Sequence, residues 1–323
     1  MKKFFFSILA VGALIACTKS EVAYDEPSEI SLAPVTSTVT KAVTAAINST
    51  DYPEKEQFIV WAYWQNLNDK TSWENFDNAS TYINGKAFGK KGDYWGGVSK
   101  KYTWPKTGSL IFACLSPLEG PFSNVAHSLK ENKFTFDYNN PVNTANTVDL
   151  LWADNTPKSS DKYTTAVPVT FEHALSWITF TVTGQDAAID NYVVNNITIN
   201  NVNTEAKFDS SRNNEWYSWN NKQPIVVFDG EEAVKAEKKE IENVKRGTLV
   251  IPQSATSPYK ATLVYTNNTG DTPIQETLTL ELNNEWEIGK HYFYNITFTT
   301  TEILINPTVE PWETETPELE YWF

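Results

Sequence analysis

His127, His173 and His291 are the side chains best suited to acid–base work or metal ligation near neutral pH, and they lie far apart in the sequence. None has another His, a Cys or a carboxylate at the spacing of a metal-binding motif. His173 follows Glu172 and precedes an alternating run, the setting of a hydrogen-bonded structural histidine rather than a base. No G-x-S-x-G elbow and no phosphate-cradling glycine loop occurs. Paired-carboxylate glycoside hydrolysis is the catalytic chemistry that folding could still assemble. With 40 acidic residues, chance proximity makes that signal weak. The expectation is a protein that is not an enzyme and uses neither cofactor nor metal. Trp216 and Trp219 stand in Asn213-Asn214-Glu215-Trp216-Tyr217-Ser218-Trp219-Asn220. Aromatic rings flanked by Asn and Glu in a loop-like setting suit stacking on sugars. The same pair equally suits capping a sheet or lining a subunit contact.

A second kind of chemistry is written at the N-terminus. Lys2 and Lys3 precede the apolar run Phe4 to Ile15, which ends in Leu14-Ile15-Ala16-Cys17. A basic start, a short apolar stretch and small residues at its end describe a secretory signal over residues 1–16. The run is short for a membrane span. Leu-x-Ala-Cys resembles the lipobox of bacterial lipoproteins, which implies cleavage before Cys17 and acylation of its thiol. Cys114, inside Leu110-Ile111-Phe112-Ala113-Cys114-Leu115, is then left without an intramolecular partner and reads as a small buried hydrophobe. An exported chain without disulfides rests on core packing alone. A polar tether from Thr18 to Pro27 leads to the alternating segment Glu29-Ile30-Ser31-Leu32-Ala33. Val35 to Thr50 is rich in small and hydroxylated residues and holds one basic residue, Lys41. That reads as an exposed loop with a protease site between Lys41 and Ala42, or as a plain linker.

These residues must be positioned by a chain of 323 residues, a length that suggests two domains. Hydrophobic residues make up 41%, enough for packed cores and too many for disorder. A net charge of −14 argues against nucleic acid, because nothing evident neutralises a run of phosphates. It also argues against attraction to anionic lipid. Aromatics at 14% with 12 Trp favour pleated surfaces and hence an all-β fold. Phe58 to Trp64 is a continuous apolar run, as expected of a strand covered on both faces. Lys133 to Tyr138, Ile178 to Val182 and Leu278 to Leu282 alternate, and Tyr292, Tyr294, Ile296 and Phe298 share one face. Asn84-Gly85, Asp229-Gly230 and Thr269-Gly270-Asp271 offer turns between such runs. Many short strands and scarcely a helical period point to β-sandwiches. Glu231 to Arg246, a dense charge run, reads as a short surface helix or a solvated connection. The polar stretch Pro157 to Asp161 puts a domain boundary near residue 165.

Several strings together resemble the fimbrillin family, the subunits of type V pili. They are Tyr102-Thr103-Trp104-Pro105 followed by Leu110-Ile111-Phe112-Ala113 and Ser116-Pro117; Asp149-Leu150-Leu151-Trp152-Ala153; and Phe171-Glu172-His173-Ala174-Leu175-Ser176-Trp177-Ile178-Thr179-Phe180. Thr248-Leu249-Val250-Ile251-Pro252-Gln253, the spaced set Trp286, Gly289, Tyr292, Tyr294 and Ile296, and Pro307, Val309 and Trp312 complete the series in the expected order. The resemblance implies two transthyretin-like β-sandwiches in tandem with a strand-exchanging C-terminal tail. It divides the chain into a signal peptide (1–16), a lipidated propeptide (17–41), an N-terminal sandwich (42–165), a C-terminal sandwich (166–312) and a tail (313–323). It also implies a route: export as an outer-membrane lipoprotein, proteolytic removal of the propeptide, and assembly at the cell surface into a pilus that supports adhesion to a host or bacterial ligand. Family members are often cut after Arg in a Thr-Arg-Ala context, whereas this chain has Thr40-Lys41-Ala42. A Lys-tolerant protease, or retention of the lipid as an anchor subunit, follows from that departure.

The tail continues past Trp312 with Leu319, Tyr321 and Phe323 at a period of two, so an extended tail puts all three on one face. Ile30 and Leu32 have the same spacing in the segment expected to leave. The expectation is that the tail of one subunit fills the groove vacated in its neighbour. The partners are thus other pilus subunits and, before maturation, the outer membrane through Cys17. The alternative function is a glycan-binding surface lipoprotein that uses Trp216 and Trp219.

Overall fold

The computed structural model describes residues 28–36, 52–66, 76–154, 166–185, 190–213, 215–241 and 247–312. These form twenty strands and no α-helix. The all-β expectation holds.

The first strands in chain order are β1 (Leu32–Thr36), β2 (Phe58–Gln65), β3 (Ser80–Lys91), β4 (Tyr94–Gly97), β5 (Ser109–Ser116), β6 (Phe122–Ser128), β7 (Lys133–Asn139), β8 (Leu151–Asp154) and β9 (Val167–His173). Seven of them close into a barrel in the order β1-β4-β3-β2-β5-β8-β9. Closure depends on β1, which bridges β4 and β9 where an open sandwich would show two edges. The pleat explains why β2 reads as one apolar run. Phe58, Val60 and Ala62 point into the barrel, while Trp61 and Tyr63 point outward into a second core. β5 divides the same way, with Leu110, Phe112 and Cys114 inside and Ile111, Ala113 and Leu115 outside. Cys114 is a buried free thiol whose pKa burial pushes far up.

The chain goes on through β10 (Ser176–Gly184), β11 (Tyr192–Asp209), β12 (Trp216–Ala233), β13 (Lys239–Ile241), β14 (Thr248–Val250), β15 (Gln253–Ser254), β16 (Lys260–Asn267), β17 (Ile274–Glu281), β18 (Glu285–Trp286), β19 (Lys290–Phe298) and β20 (Ile303–Pro311). One sheet runs β13-β10-β19-β20 with β14 beside β10. Facing it, a second sheet runs β17-β16-β11-β7-β6 with β12 on the other side of β11. A third core fills the space between them, where Ile178, Phe180, Tyr294 and Ile296 meet Val194, Ile197, Ile225 and Leu263.

The two halves share a sheet. β11 is long enough to pair with β16 over Tyr192–Asn200 and then with the β6–β7 hairpin over Glu205–Asp209. Phe136 of β7 lies flat on Phe208 of β11 at 4.5 Å, roofing the second core.

The strand network also crosses residue 165, because β9 completes the barrel before the chain enters the second half. Two expected turns fall inside strands. Gly85 adopts φ +54° in the middle of β3, against the Trp61 indole, and the β2–β3 register shifts between Val60 and Ala62. It serves a bulge, for which its freedom at positive φ is suited. Asp229-Gly230 lies within β12. Thr269-Gly270-Asp271 does connect β16 to β17. In the charge run, Glu231–Ala233 end β12 and Lys239–Ile241 form β13, so the described part holds strands where a helix was one expectation.

Candidate strand-exchange site

β1 is held to the body by side chains and backbone pairing on both of its flanks. Ile30, Leu32 and Pro34 alternate inward and are buried, Ile30 and Leu32 with 0% exposure. Ile30 and Leu32 join a core that includes Tyr52, Trp95, Tyr102, Trp104, Phe112 and Phe171. β1 runs parallel to β9 from Leu32↔Val167 to Thr36↔Phe171 and antiparallel to β4 at Leu32↔Trp95. Upstream, the Ile30 N–H donates to Tyr102 O at 2.8 Å, and Trp104 N–H donates to Ser28 O at 2.9 Å. Val167 N–H donates to Ser31 O at 2.8 Å. Burying Ile30 and Leu32 contributes about 1.5–3 kcal/mol each. Withdrawing the strand exposes their pockets and leaves backbone groups of β4 and β9 without partners, a state that water stabilises poorly.

One outward side chain of this segment is also gripped. Glu29 Oε1 lies 3.3 Å from Lys91 Nζ, the Tyr94 hydroxyl donates to Oε2 at 3.3 Å, and Lys101 Nζ stands 4.0 Å from Oε2. The Glu29 side chain is only 17% exposed. Gly96 leaves the room, since a Cβ there would sit 3.1 Å from Glu29 Oε1.

The body takes hold of the chain again at Tyr52. Its ring packs on Phe171 at 5.4 Å, and its hydroxyl shares a 2.7 Å hydrogen bond with Ser116 Oγ. Lys41 and Ala42 fall between Thr36 and Tyr52, outside the described residues, as do Cys17, Leu319, Tyr321 and Phe323.

A profile of fimbrillin-like proteins matches residues 40–312. The chain belongs to the fimbrillin-like family. The match begins beside Lys41 and ends at Trp312, so β1 and the tail both lie outside it. No protein with a curated description matches in sequence. Among solved structures, a fimbrial protein from Bacteroides vulgatus is similar at TM-score 0.64 and 14% identity, over 87% of this chain and 99% of that one. A candidate cell adhesion protein from Bacteroides ovatus is similar at TM-score 0.57 and 18% identity, over 90% of this chain and 99% of that one. At such identities the likeness shows a shared fold.

Two strings that carry the fimbrillin resemblance meet in space. His173 ends β9 and its Nδ1 lies 3.0 Å from Asp149 Oδ1. Phe171 enters the barrel core, while Ala174 and Leu175 enter the second core. Ser176 Oγ then donates to Glu287 O at 2.7 Å as β10 begins. The string is therefore the crossing between the two halves of this fimbrillin-like chain. Trp312 seals the crossing: its ring stacks on His173 at 3.8 Å, and its backbone N–H donates to Gly289 O at 2.9 Å.

The other histidines are built in similarly. His291 stacks on Trp177 at 3.6 Å with Nε2 2.8 Å from Thr179 Oγ1, and burial lowers its pKa to about 3. His127 Nδ1 lies 3.0 Å from the Tyr63 hydroxyl, and its Nε2 is 3.6 Å from Asp154 Oδ2. Among the described residues, no three His, Cys, Asp or Glu side chains are placed to hold a metal.

The loop-like setting expected for Trp216 is corrected. Trp216 opens β12, is 1% exposed and donates its indole N–H to Ala174 O at 2.7 Å. Its apolar bulk is drawn under the β7–β11 pairing, against Phe136 and Phe208, where a sugar ring has no access. Trp219 is half-buried, with its indole N–H donating to Pro252 O at 3.0 Å. Pro34 and Glu29 were absent from the expected site. Pro34 continues the period of Ile30 and Leu32, so that signal was legible; the Lys91–Tyr94–Lys101 partners of Glu29 were not.

Proposed function

We propose that this chain is a structural, non-catalytic subunit of a bacterial surface pilus, built by exchange of β1 for a neighbour's tail. The observation that carries the reading is a barrel whose closing strand, with Ile30, Leu32 and Pro34 in the core, is joined to the body through the segment that holds Lys41. Family membership and the likeness to fimbrial and candidate cell adhesion proteins support it. In this scheme residues 1–16 direct export, and Cys17 carries lipid that holds the precursor at the outer membrane. A protease cuts between Lys41 and Ala42, β1 departs, and the tail of another copy inserts Leu319, Tyr321 and Phe323. The exchanged strand restores apolar contacts and backbone pairing together. Such head-to-tail contacts do not close, so they generate a filament.

Three variants test the steps separately. Lys41→Gln is expected to block shortening and keep the protein with the membrane, read by mass spectrometry of the surface fraction. Cys17→Ser abolishes lipid labelling. Deleting residues 313–323 yields a folded subunit that does not polymerise by electron microscopy. Filaments of normal length from the truncated chain would overturn the donor assignment.

A further inference from the structure

The cradle around Glu29 has a use only while something acidic fills it. Lys91, Tyr94 and Lys101 converge on one carboxylate, with Gly96 leaving space beneath. Lys91 and Lys101 form a basic rim here, whereas Lys90 lies over the Trp95 ring at 4.0 Å and is paired with Glu54 at 3.5 Å, and Lys100 lies over the Tyr102 ring at 4.6 Å. When β1 leaves, Glu29 leaves with it, and Lys91 and Lys101 lose that counter-charge. The tail carries Glu313, Glu315, Glu318 and Glu320 in a short span, a charge complementary to this rim.

The order of residues makes the match specific. The departing segment reads Glu29-Ile30-Ser31-Leu32-Ala33-Pro34, and the tail ends Glu318-Leu319-Glu320-Tyr321-Trp322-Phe323. In each, an acidic residue directly precedes the first of three residues spaced by two. Laid in the same direction, Leu319, Tyr321 and Phe323 take the inward positions of Ile30, Leu32 and Pro34, and Glu318 falls on Glu29. Building on the donor-strand reading above, we propose that Glu318 of one copy enters the Lys91–Tyr94–Lys101 cradle of the next and fixes the register of the exchanged strand.

A pin is needed because backbone pairing alone tolerates slippage. A slip of one residue turns the apolar set outward and is strongly disfavoured. A slip of two keeps the alternation: one way it leaves Leu319 outside the core, and the other way it puts Pro317 at the Ile30 position and the uncharged Thr316 in the cradle. Two lysines and a hydroxyl around a largely desolvated carboxylate bond it more strongly than one exposed ion pair does. The cradle also steers an acidic segment toward a basic rim, an effect that salt screens.

The test uses filaments assembled from the full-length chain, from Glu318→Gln, from Glu320→Gln and from the chain lacking 313–323. Glu318→Gln and Glu320→Gln each remove one tail charge, so an effect of charge alone appears in both variants. Glu318→Gln is expected to speed dissociation on dilution by roughly tenfold and to flatten its dependence on salt, while Glu320→Gln changes it by less than about twofold. Combining Glu318→Lys with Glu29→Lys, Lys91→Glu and Lys101→Glu restores wild-type dissociation. Equal effects of Glu318→Gln and Glu320→Gln overturn the pin and leave only general charge attraction. No effect of Glu318→Gln, with filaments still lost on deleting the tail, also overturns it while the donor reading stands. Filaments from the truncated chain would remove both.

Discussion

The barrel and the C-terminal pair of sheets are made of the same kinds of residue, yet they are closed in opposite ways. The barrel is closed by β1, whose five residues hold β9 and β4 and whose connection to Tyr52 runs through the segment with Lys41. The other core is closed by β19, which lies between β10 and β20 and pairs with β20 along its whole length, Lys290↔Pro311 to Phe298↔Ile303. β19 cannot leave without breaking ladders of eight and nine pairs, whereas β1 holds five pairs with β9 and a single one with β4. The difference teaches where the proposed strand exchange would have least pairing to undo: at the barrel, with the other core left intact.

The seam between them gives the largest expected effect. Trp312 stacks on His173 of the barrel and is buried at the end of β20. Trp312→Ala should destabilise the subunit by about 3–5 kcal/mol in urea unfolding, through lost contacts and a cavity. Two separate transitions in place of one would show that the seam is what makes the halves unfold together.

A pair of matched truncations sharpens the comparison. Leu32→Ala should destabilise the precursor by about 2–5 kcal/mol, and Ile296→Ala by a similar amount. After maturation the two are expected to part: filaments from Leu32→Ala match wild type in heat resistance, because β1 is gone, while those from Ile296→Ala stay weakened. Equal weakening of both filaments would mean that β1 is retained.

Acid acts gradually rather than through a single lost contact. Burial holds His291 neutral, with a pKa lowered to about 3 from the ordinary 6.5. The unfolded chain therefore binds the proton first, so this histidine's contribution is whole above about pH 6.5 and drains away as pH falls toward 3. The slope is at most about 1.4 kcal/mol per pH unit. Replacing His291 by Gln should flatten the pH dependence of unfolding in that window; an unchanged profile would place the titration elsewhere.

Much of this was legible in the residues themselves. Alternation fixed the strands around Phe134, Phe180 and Tyr294, because a pleat puts every second side chain on one face. Ile30 and Leu32 announced a buried strand near the N-terminus by the same period, and the continuous run Phe58 to Trp64 announced two covered faces. What local pattern does not contain is the identity of the distant partner. Asn84-Gly85 carries the composition of a hairpin turn, and it became a bulge because the Trp61 indole packs there. Trp216 carries a polar neighbourhood, and it was buried because Phe136 and Phe208 meet above it. The pairing of β1 with β9, the entry of the β6–β7 hairpin into the other half's sheet and the gathering of Lys91, Tyr94 and Lys101 around Glu29 all join residues far apart in the chain. Those choices rest on which exposed edges and apolar faces fit one another in three dimensions. Periodicity along the chain sets which side chains a strand can offer, and the tertiary structure alone decides what receives them.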